Sequence, residues 1–462
     1  MKKHSPRSQG ESVPESGPER ETPAIVTSKP PDNGLLRAFT SLRHRNYRLY
    51  WFGQMISLMG TWMQTIGQAW LVLELTHSAW QLGLVGALQF LPVLLFSILG
   101  GVFADRWPKR RILLVTQSAA MMQAFLLWAL IATGTVELWH IYVLATLLGV
   151  TNCLDQPTRS AFVVELVERE DLPNAVALNS LLVNLARVVG PGLGGIIIVA
   201  SGVTMLFLLN ALSFLAVIVS LALINIHELH AQALQARSVG ERQNTWQSLR
   251  EGVGYVWKTP AVSLVILVVG LVLLFGANFN VVLPLFASYV LQAGARGFGF
   301  LSASMGVGSL ISALWLAWSN QKPTIRRVLI GALAFGVLEA FFAVSHIYLL
   351  SLGLIASVGF AETVFGALAI TTLQTVTPDH LRGRVVSVYI LFFTGSIPPG
   401  YLLAGWLSGL FGVSTGLLIC ALLCLMVAGA GWMWRKPAEK NFAEMEFRSL
   451  AARLPEVSED GV

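Results

Sequence analysis

Twelve long apolar stretches are the feature that most constrains how this chain of 462 residues folds. A helix needs about 20 mostly apolar residues to cross the hydrocarbon core of a bilayer. These stretches are apolar on all sides, whereas the strands of a membrane β-barrel are polar at every second position. We therefore predict an all-α integral membrane protein with twelve transmembrane helices. The predicted spans are residues 50–73, 82–104, 112–132, 138–158, 176–199, 203–226, 261–291, 297–319, 327–345, 348–374, 386–408 and 413–434.

The placement of the basic residues predicts the orientation of the spans. Of the 31 lysines and arginines, only Arg296 falls in a loop on the side opposite the termini, and only Arg187 falls in the interior of a span, since Arg327 is the first residue of the ninth. Basic loops favour the cytoplasmic side of a membrane, so we predict that both termini are cytoplasmic. The net charge of +6 is then a topology signal, and we expect no binding to nucleic acid.

The longest internal polar stretch divides the spans six and six, which predicts two six-helix bundles. Trp246 and Trp257 belong to a set of apolar residues at helical spacing, which predicts an amphipathic helix in this linker. Similar loops at equivalent places in the two halves favour duplication as parallel repeats. The predicted segments are a largely disordered cytoplasmic segment 1–48, a first bundle 49–226, a cytoplasmic linker 227–259, a second bundle 260–434 and a cytoplasmic tail 435–462.

The short loop after the second span carries the sharpest local motif. Gly101 would let two helices approach closely, and Asp105 would lie against the positive N-terminal end of a neighbouring helix. Asp155, near the inner end of the fourth span, is the expected partner of Arg106 or Arg110. The alternative is a group of charges that only sets topology. The residues of the predicted conformational latch are Gly101, Asp105, Arg106, Lys109, Arg110 and Asp155.

The fifth span contains a run of small residues around a proline. Pro191 frees a backbone carbonyl and allows a bend, while the glycines allow tight contact with a facing helix across the two halves. Ordinary packing of small residues is the alternative. The predicted bend and packing residues are Gly190, Pro191, Gly194 and Gly195.

Both motifs resemble those of the major facilitator superfamily. The loop at 101–111 is similar to its pattern Gly-x-x-x-Asp-(Arg/Lys)-x-Gly-(Arg/Lys)-(Arg/Lys), with Pro108 in place of the second glycine. The fifth span resembles the Gly-Pro-x-x-Gly-Gly motif of exporters and antiporters, with Ala186 where the pattern has a further glycine. Over about residues 38–434 the chain resembles the subfamily that includes the bacterial enterobactin exporter. This resemblance implies export, a multi-pass place in the bacterial plasma membrane and a central cavity lined by spans one, four, seven and ten.

Three ionisable residues within the spans are candidates for ion coupling. A charge at the centre of a bilayer costs about 2.5–3.5 kcal/mol on insertion scales, so each needs a partner or a hydrated cavity. Arg187 and Glu362 lie near the midplane, and Glu339 lies nearer the outside. The resemblance favours Glu362, since span ten lines the cavity and span nine is peripheral. Glu362 is our leading candidate for proton coupling, and a structural role is the alternative for each acid.

Four carboxamides within the spans are candidates for binding substrate. Gln64 and Gln68 are four residues apart and share one helix face, while Asn278 and Asn280 lie in the seventh span. Hydrogen bonds between helices are the alternative for all four. Trp62, Trp70 and Phe279 are candidates for stacking on an aromatic substrate, although Trp70 also suits the interfacial belt.

These features predict a secondary transporter that exports a small organic molecule in exchange for protons or another ion. No Gly-Lys pair occurs, so the chain has no phosphate-binding loop for ATP hydrolysis. A facilitator or importer is the alternative, and a membrane sensor or lipid-handling protein is a remote one. The sequence contains no His-Glu-x-x-His motif, and its one match to the Gly-x-Ser-x-Gly spacing, at 412–416, lies where the last loop meets the twelfth predicted span and not on a strand-to-helix turn. We expect no enzyme activity, no cofactor, no metal and a monomer.

Overall fold

A computed structural model describes residues 39–229, 245–319 and 322–451 of the chain. Within these ranges every regular element is helical and no β-strand occurs, as the apolar stretches predict. The prediction of disorder for the N-terminal segment falls almost wholly outside the described residues, as does half of the polar linker. The side chains of Asp105 and Arg106 also lie outside the description.

The first half is built from five helical segments, the last of which is twice as long as a span. A 52-residue helix extends about 78 Å at 1.5 Å per residue, more than twice the thickness of a hydrocarbon core. Gly202 interrupts it, with a φ of 80° that glycine adopts without strain. The segments are α1 (Arg45–Thr76), α2 (Ala79–Arg106), α3 (Lys109–Ala132), α4 (Leu138–Leu166) and α5 (Leu172–Leu223).

The second half contains shorter helices, because two of its spans are interrupted. Ala277 and Asn278 separate the first interrupted pair, and Ser396 separates the second just before a Pro-Pro pair. Pro398 and Pro399 have no backbone N–H to donate to the carbonyl groups four residues earlier, which accounts for the second break. The helices are α6 (Thr245–Lys258), α7 (Pro260–Gly276), α8 (Phe279–Leu285), α9 (Gly294–Ser319), α10 (Ile325–Ala343), α11 (Tyr348–Val376), α12 (Asp379–Gly395), α13 (Ile397–Phe411), α14 (Val413–Met433) and α15 (Arg435–Ala451).

Nine helical segments of the described chain are long and apolar enough to cross a membrane. α5 counts once among the nine although Gly202 divides it, and neither α1 nor α10 is included. α10 carries three charged residues, Arg326, Arg327 and Glu339, and α1 carries several buried glutamines. The twelve spans expected from the sequence therefore stay a prediction.

The two halves meet most closely at the end of the bundle opposite the termini. There α5 packs on α9, and α2 packs on α13. A Cβ atom added to Gly195 would lie 2.9 Å from Cα of Gly299, and one added to Gly83 would lie 2.4 Å from the carbonyl oxygen of Tyr401. Glycine at these positions lets the backbones touch, so this end of the interface between the halves is closed.

Candidate functional site

Two neighbouring cavities lie between the halves. The main chamber has a volume of about 470 Å³ and the side chamber about 250 Å³. They share five lining residues and therefore lie on either side of a common wall. The residues that line both chambers are Trp62, Thr65, Phe90, Asn280 and Tyr401.

The side chamber brings together two of the three ionisable residues predicted for coupling. Arg187 of α5 and Glu362 of α11 both line it, one from each half. The guanidinium of Arg187 lies 5.4 Å from the ring centroid of Trp62, which is within range of a cation–π contact. Among the described residues no ion pair joins Arg187 to Glu362. Their charges therefore share the chamber without direct contact.

The main chamber has a wall rich in carboxamides. Two of the four predicted binding amides, Gln68 and Asn280, line it. The amide nitrogen of Asn280 donates a hydrogen bond to the Tyr401 hydroxyl at 2.7 Å, and that of Gln68 donates to Gln89 at 3.2 Å. Sequence reasoning missed most of this wall, although each amide lies in an apolar stretch where a polar side chain needs a reason. The other amides in the wall are Gln54, Gln89, Asn152, Gln156 and Asn179.

The remaining two predicted binding amides lie away from the chambers. Gln64 joins three helices, because its amide nitrogen donates to Gln123 at 3.0 Å and its oxygen accepts from Asn210 at 2.5 Å. Asn278 donates to the carbonyl oxygens of Leu274 and Phe275, which caps the end of α7. Both therefore match the alternative role of hydrogen bonding within the protein.

The aromatic candidates divide in the same way. Trp62 lines both chambers, and Phe279 lines the side chamber. Trp70 instead stacks on Phe298 of the other half with ring centroids 6.5 Å apart, and its indole nitrogen donates to Glu74. Trp70 thus contributes to the contact between the halves.

Asp155 lines the main chamber and is held by three side chains of its own half. It accepts hydrogen bonds from Thr116 at 2.8 Å and Gln117 at 2.7 Å, and it pairs with Arg159 at 2.5 Å. The predicted pair of Asp155 with Arg110 is wrong, because Arg110 donates to backbone carbonyls at the end of α5. Arg159 is four residues along the same helix, a spacing at which opposite charges meet.

The predicted latch needs a second correction. Among the described residues, a Cβ added to Gly101 would meet nothing within 4 Å, so no close helix contact of this glycine is found there. Gly100 does so instead, because its Cβ would lie 2.1 Å from the carbonyl oxygen of Cys153 on α4. Lys109 forms a buried ion pair with Glu165 at 2.7 Å, which ties the start of α3 to the end of α4.

The glycine motif of the fifth span faces two different neighbours. A Cβ on Gly190 would lie 2.5 Å from Cβ of Trp62, and one on Gly194 would lie 3.4 Å from Cα of Met63, both on α1. Gly195 faces Gly299 of the other half, as described above, and the carbonyl of Pro191 approaches the same residue. Only the end of the motif around Pro191 and Gly195 therefore contacts the facing half.

Glu339 lies outside both chambers. It is 0% exposed, and neither carboxyl oxygen has a hydrogen-bond partner. Sequence reasoning identified this acid as a candidate, but its complete burial depends on packing that the sequence does not reveal.

A further charged group, outside the spans, anchors the segment before α1. Asp171 accepts hydrogen bonds from His44 at 2.6 Å and from Arg43 at 2.8 Å. The hydrogen bond from His44 is the largest cause that lowers the pKa of Asp171 below its usual value, and Arg43 adds to it against the opposing effect of burial. This cluster connects the N-terminal entry of the chain to the start of α5.

Comparison with protein families gives a match along nearly the whole chain. Residues 36–459 match the family model described as transmembrane secretion effector. The staphyloferrin A transporter of Staphylococcus aureus is 26% identical, and the alignment covers 79% of this chain and 90% of that protein. The enterobactin exporter EntS of Salmonella typhi is 26% identical, with 84% and 93% covered. The multidrug efflux pump Tap of Mycolicibacterium fortuitum is 26% identical, with 81% and 92% covered.

Solved structures with a similar fold are transporters. The nucleoside transporter NupG superposes with a TM-score of 0.65 at 14% identity, covering 85% of this chain and 99% of that structure. A D-xylose-proton symporter gives a TM-score of 0.63 at 13% identity, covering 87% and 98%. At such low identity these likenesses concern the fold alone.

Proposed function

We propose that this chain, which belongs to the transmembrane secretion effector family of the major facilitator superfamily, is a proton-coupled exporter of a small organic molecule. Its relatives are membrane transporters of siderophores and drugs, which supports a transporter over a sensor or a lipid-handling protein. Twelve spans, with α5 counted as two, and cytoplasmic termini are part of the proposal. The proposed location in the bacterial plasma membrane is supported by the same relatives, which are bacterial.

The observation that carries the proposal is the side chamber, where Arg187 and Glu362 enter from opposite halves. Alternating access moves one half against the other around a central site. Such a movement changes the distance between these two side chains. It also changes the amount of water around them. Glu362 then binds a proton more readily in one state than in the other. The proton affinity of Glu362 then depends on which way the halves are open, and this dependence couples proton binding to substrate transport.

The state seen in the structure fits release of the proton of Glu362, which lines the side chamber, and loading of substrate, both on the cytoplasmic side. The halves are closed at the end opposite the termini, where Gly195 meets Gly299. With cytoplasmic termini this closed end is the outer one. Asp155 and Asn179 line the main chamber. Asp155 lies in the second half of α4 and Asn179 near the start of α5, so both lie toward the end of the bundle that carries the chain termini. The substrate would enter the main chamber among its carboxamides and aromatic rings.

The direction and the energy source are tested together in inverted membrane vesicles. Enterobactin, staphyloferrin A and a cationic fluorescent dye are the first substrates, because relatives carry siderophores and drugs. An imposed proton gradient should drive accumulation of at least one of them, and a protonophore should abolish it. Equal accumulation with and without the gradient would contradict proton coupling and favour a facilitator. Accumulation only in right-side-out vesicles would indicate an importer.

A further inference from the structure

Glu339 is the most isolated buried acid in the described part of the chain. It lies on α10, which packs against α11, α14 and α7. Both carboxyl oxygens are without a partner, although a buried ionised carboxylate needs a counter-charge or several hydrogen bonds. Glu339 has no part in the coupling proposed for Arg187 and Glu362.

The carboxyl group of Glu339 lies directly behind the break between α7 and α8. A Cβ added to Gly276, the last residue of α7, would lie 2.9 Å from Oε2 of Glu339. The opposite side of the same segment faces the side chamber through Leu273, Ala277 and Phe279. The break is therefore a thin wall between the chamber and the buried acid.

The surroundings of Glu339 offer no compensating positive charge. Facing it are the thiols of Cys420 and Cys424 on α14 and the carboxyl of Glu362 on α11. The helix α7 carries no ionisable residue. The thiol of Cys424 is 3.5 Å from the carbonyl oxygen of Val272 and donates to it. A carboxyl group in such a place is held as the neutral acid, because only the proton removes its charge.

The break is also the part of the wall where the helix is interrupted. Asn278 interrupts the backbone ladder of the seventh span, and its side-chain oxygen is buried without a partner. Broken helices place ion sites near the middle of the bilayer in several transporter folds, and the ends of the half-helices shift as the bundle rocks. A shift of this segment would connect Glu339 with the water of the side chamber.

We propose that Glu339 is a second proton-binding site, loaded in the conformation seen here and opened to the side chamber by movement of the segment from Gly276 to Phe279. This inference rests on the proposed function, because it adds a second proton carrier to the coupling that begins at Glu362. The ligand is the proton itself. The route runs from the side chamber through the break to the carboxyl group.

Infrared spectroscopy of the purified chain in lipid tests this proposal without any transport assay. A protonated carboxylic acid has a carbonyl stretch that a carboxylate or a carboxamide lacks. Wild type and the control Glu362→Gln should both show this band for Glu339, persisting from mildly acidic to mildly alkaline pH. The band should be absent from Glu339→Gln. Identical spectra for wild type and Glu339→Gln would show that Glu339 is ionised and would overturn the proposal.

Two further measurements separate this inference from the proposed function. Dicyclohexylcarbodiimide, an apolar reagent for protonated carboxyl groups, should label Glu339 in the wild-type chain, as detected by mass spectrometry of the peptide. This readout stands even if the glutamine variant does not fold. Gly299→Leu, which forces the closed end apart, should expose the acid and remove the band at alkaline pH. Persistence of the band in a folded Gly299→Leu would overturn the opening step, whether or not transport proves to be driven by protons.

Discussion

The two halves of this transporter bury their acids in opposite ways. In the first half Asp155 pairs with Arg159, and Glu165 pairs with Lys109, so each carboxylate has its own counter-charge. In the second half, neither Glu362 nor Glu339 takes part in an ion pair among the described residues. A paired carboxylate stays ionised and fixes the geometry of its neighbours. An unpaired one has no counter-charge that keeps it ionised, and the proposed proton coupling places both proton-binding acids in the second half.

The largest expected effect is the loss of the buried pair in the first half. Lys109→Met leaves Glu165 without its counter-charge, and removal of one partner from a buried pair costs about 3–5 kcal/mol. We expect a marked fall in the thermal unfolding temperature in detergent. The double variant Lys109→Met with Glu165→Leu should regain most of the loss. If Lys109→Met unfolds like wild type, the pair does not hold the first half together.

The next effect concerns the helix contact beside Asp155. Gly100→Ala forces its new Cβ against the carbonyl of Cys153, and overpacking of this kind costs about 1–3 kcal/mol. Gly101→Ala is the matched control, since its Cβ would enter open space. We expect a lower unfolding temperature for the first variant and little change for the second. The reverse order would restore Gly101 as the contact residue of the latch.

In the second half the corresponding change should have little effect on stability. Glu339→Gln replaces a neutral acid by a neutral amide of the same shape, so we expect a change within about 1 kcal/mol at neutral pH. The matched change in the first half, Glu165→Gln, removes one charge of a pair and should destabilise clearly more. Comparison of the two unfolding temperatures sharpens the contrast between the halves, and equal losses would remove it.

The smallest effect belongs to the cluster of Asp171 with His44 and Arg43. Because the pKa of Asp171 is lowered in the folded chain, its contribution to stability is present above its usual value and is lost as pH falls through the lowered one. Arg43 is largely exposed, so we expect under about 1 kcal/mol. Asp171→Asn should flatten the fall in unfolding temperature at acidic pH. An unchanged acid limb would mean that the cluster does not contribute.

The sequence predicted the helical membrane fold because hydropathy is summed over whole spans and tolerates local errors. It also predicted a similar depth in the membrane for Arg187 and Glu362, because the position along a span multiplied by the helical rise per residue gives the depth. Facing directions were harder to predict. Successive residues of a helix point about 100° apart, so Gly100 and Gly101 face different neighbours, and only packing decides which one contacts α4.

Two of the four candidate amides, Gln64 and Asn278, lie away from the chambers for a related reason. Gln64 and Gln68 share a helix face, yet only Gln68 reaches a chamber. Their separation of four positions corresponds to about 6 Å of rise, so the two side chains meet different parts of the neighbouring helices. Hydropathy and residue spacing do not predict how the facing helices pack. Only the structure therefore shows the size and position of the chambers.

The central claim is that Glu362 couples proton movement to transport, and Glu362→Gln tests it most directly. In vesicles containing an identified substrate, the variant should exchange labelled for unlabelled substrate as wild type does, because the chamber keeps its shape. It should lose all accumulation driven by a proton gradient, while the exposed control Glu170→Gln keeps it. Gradient-driven accumulation by Glu362→Gln at the wild-type level would contradict the account.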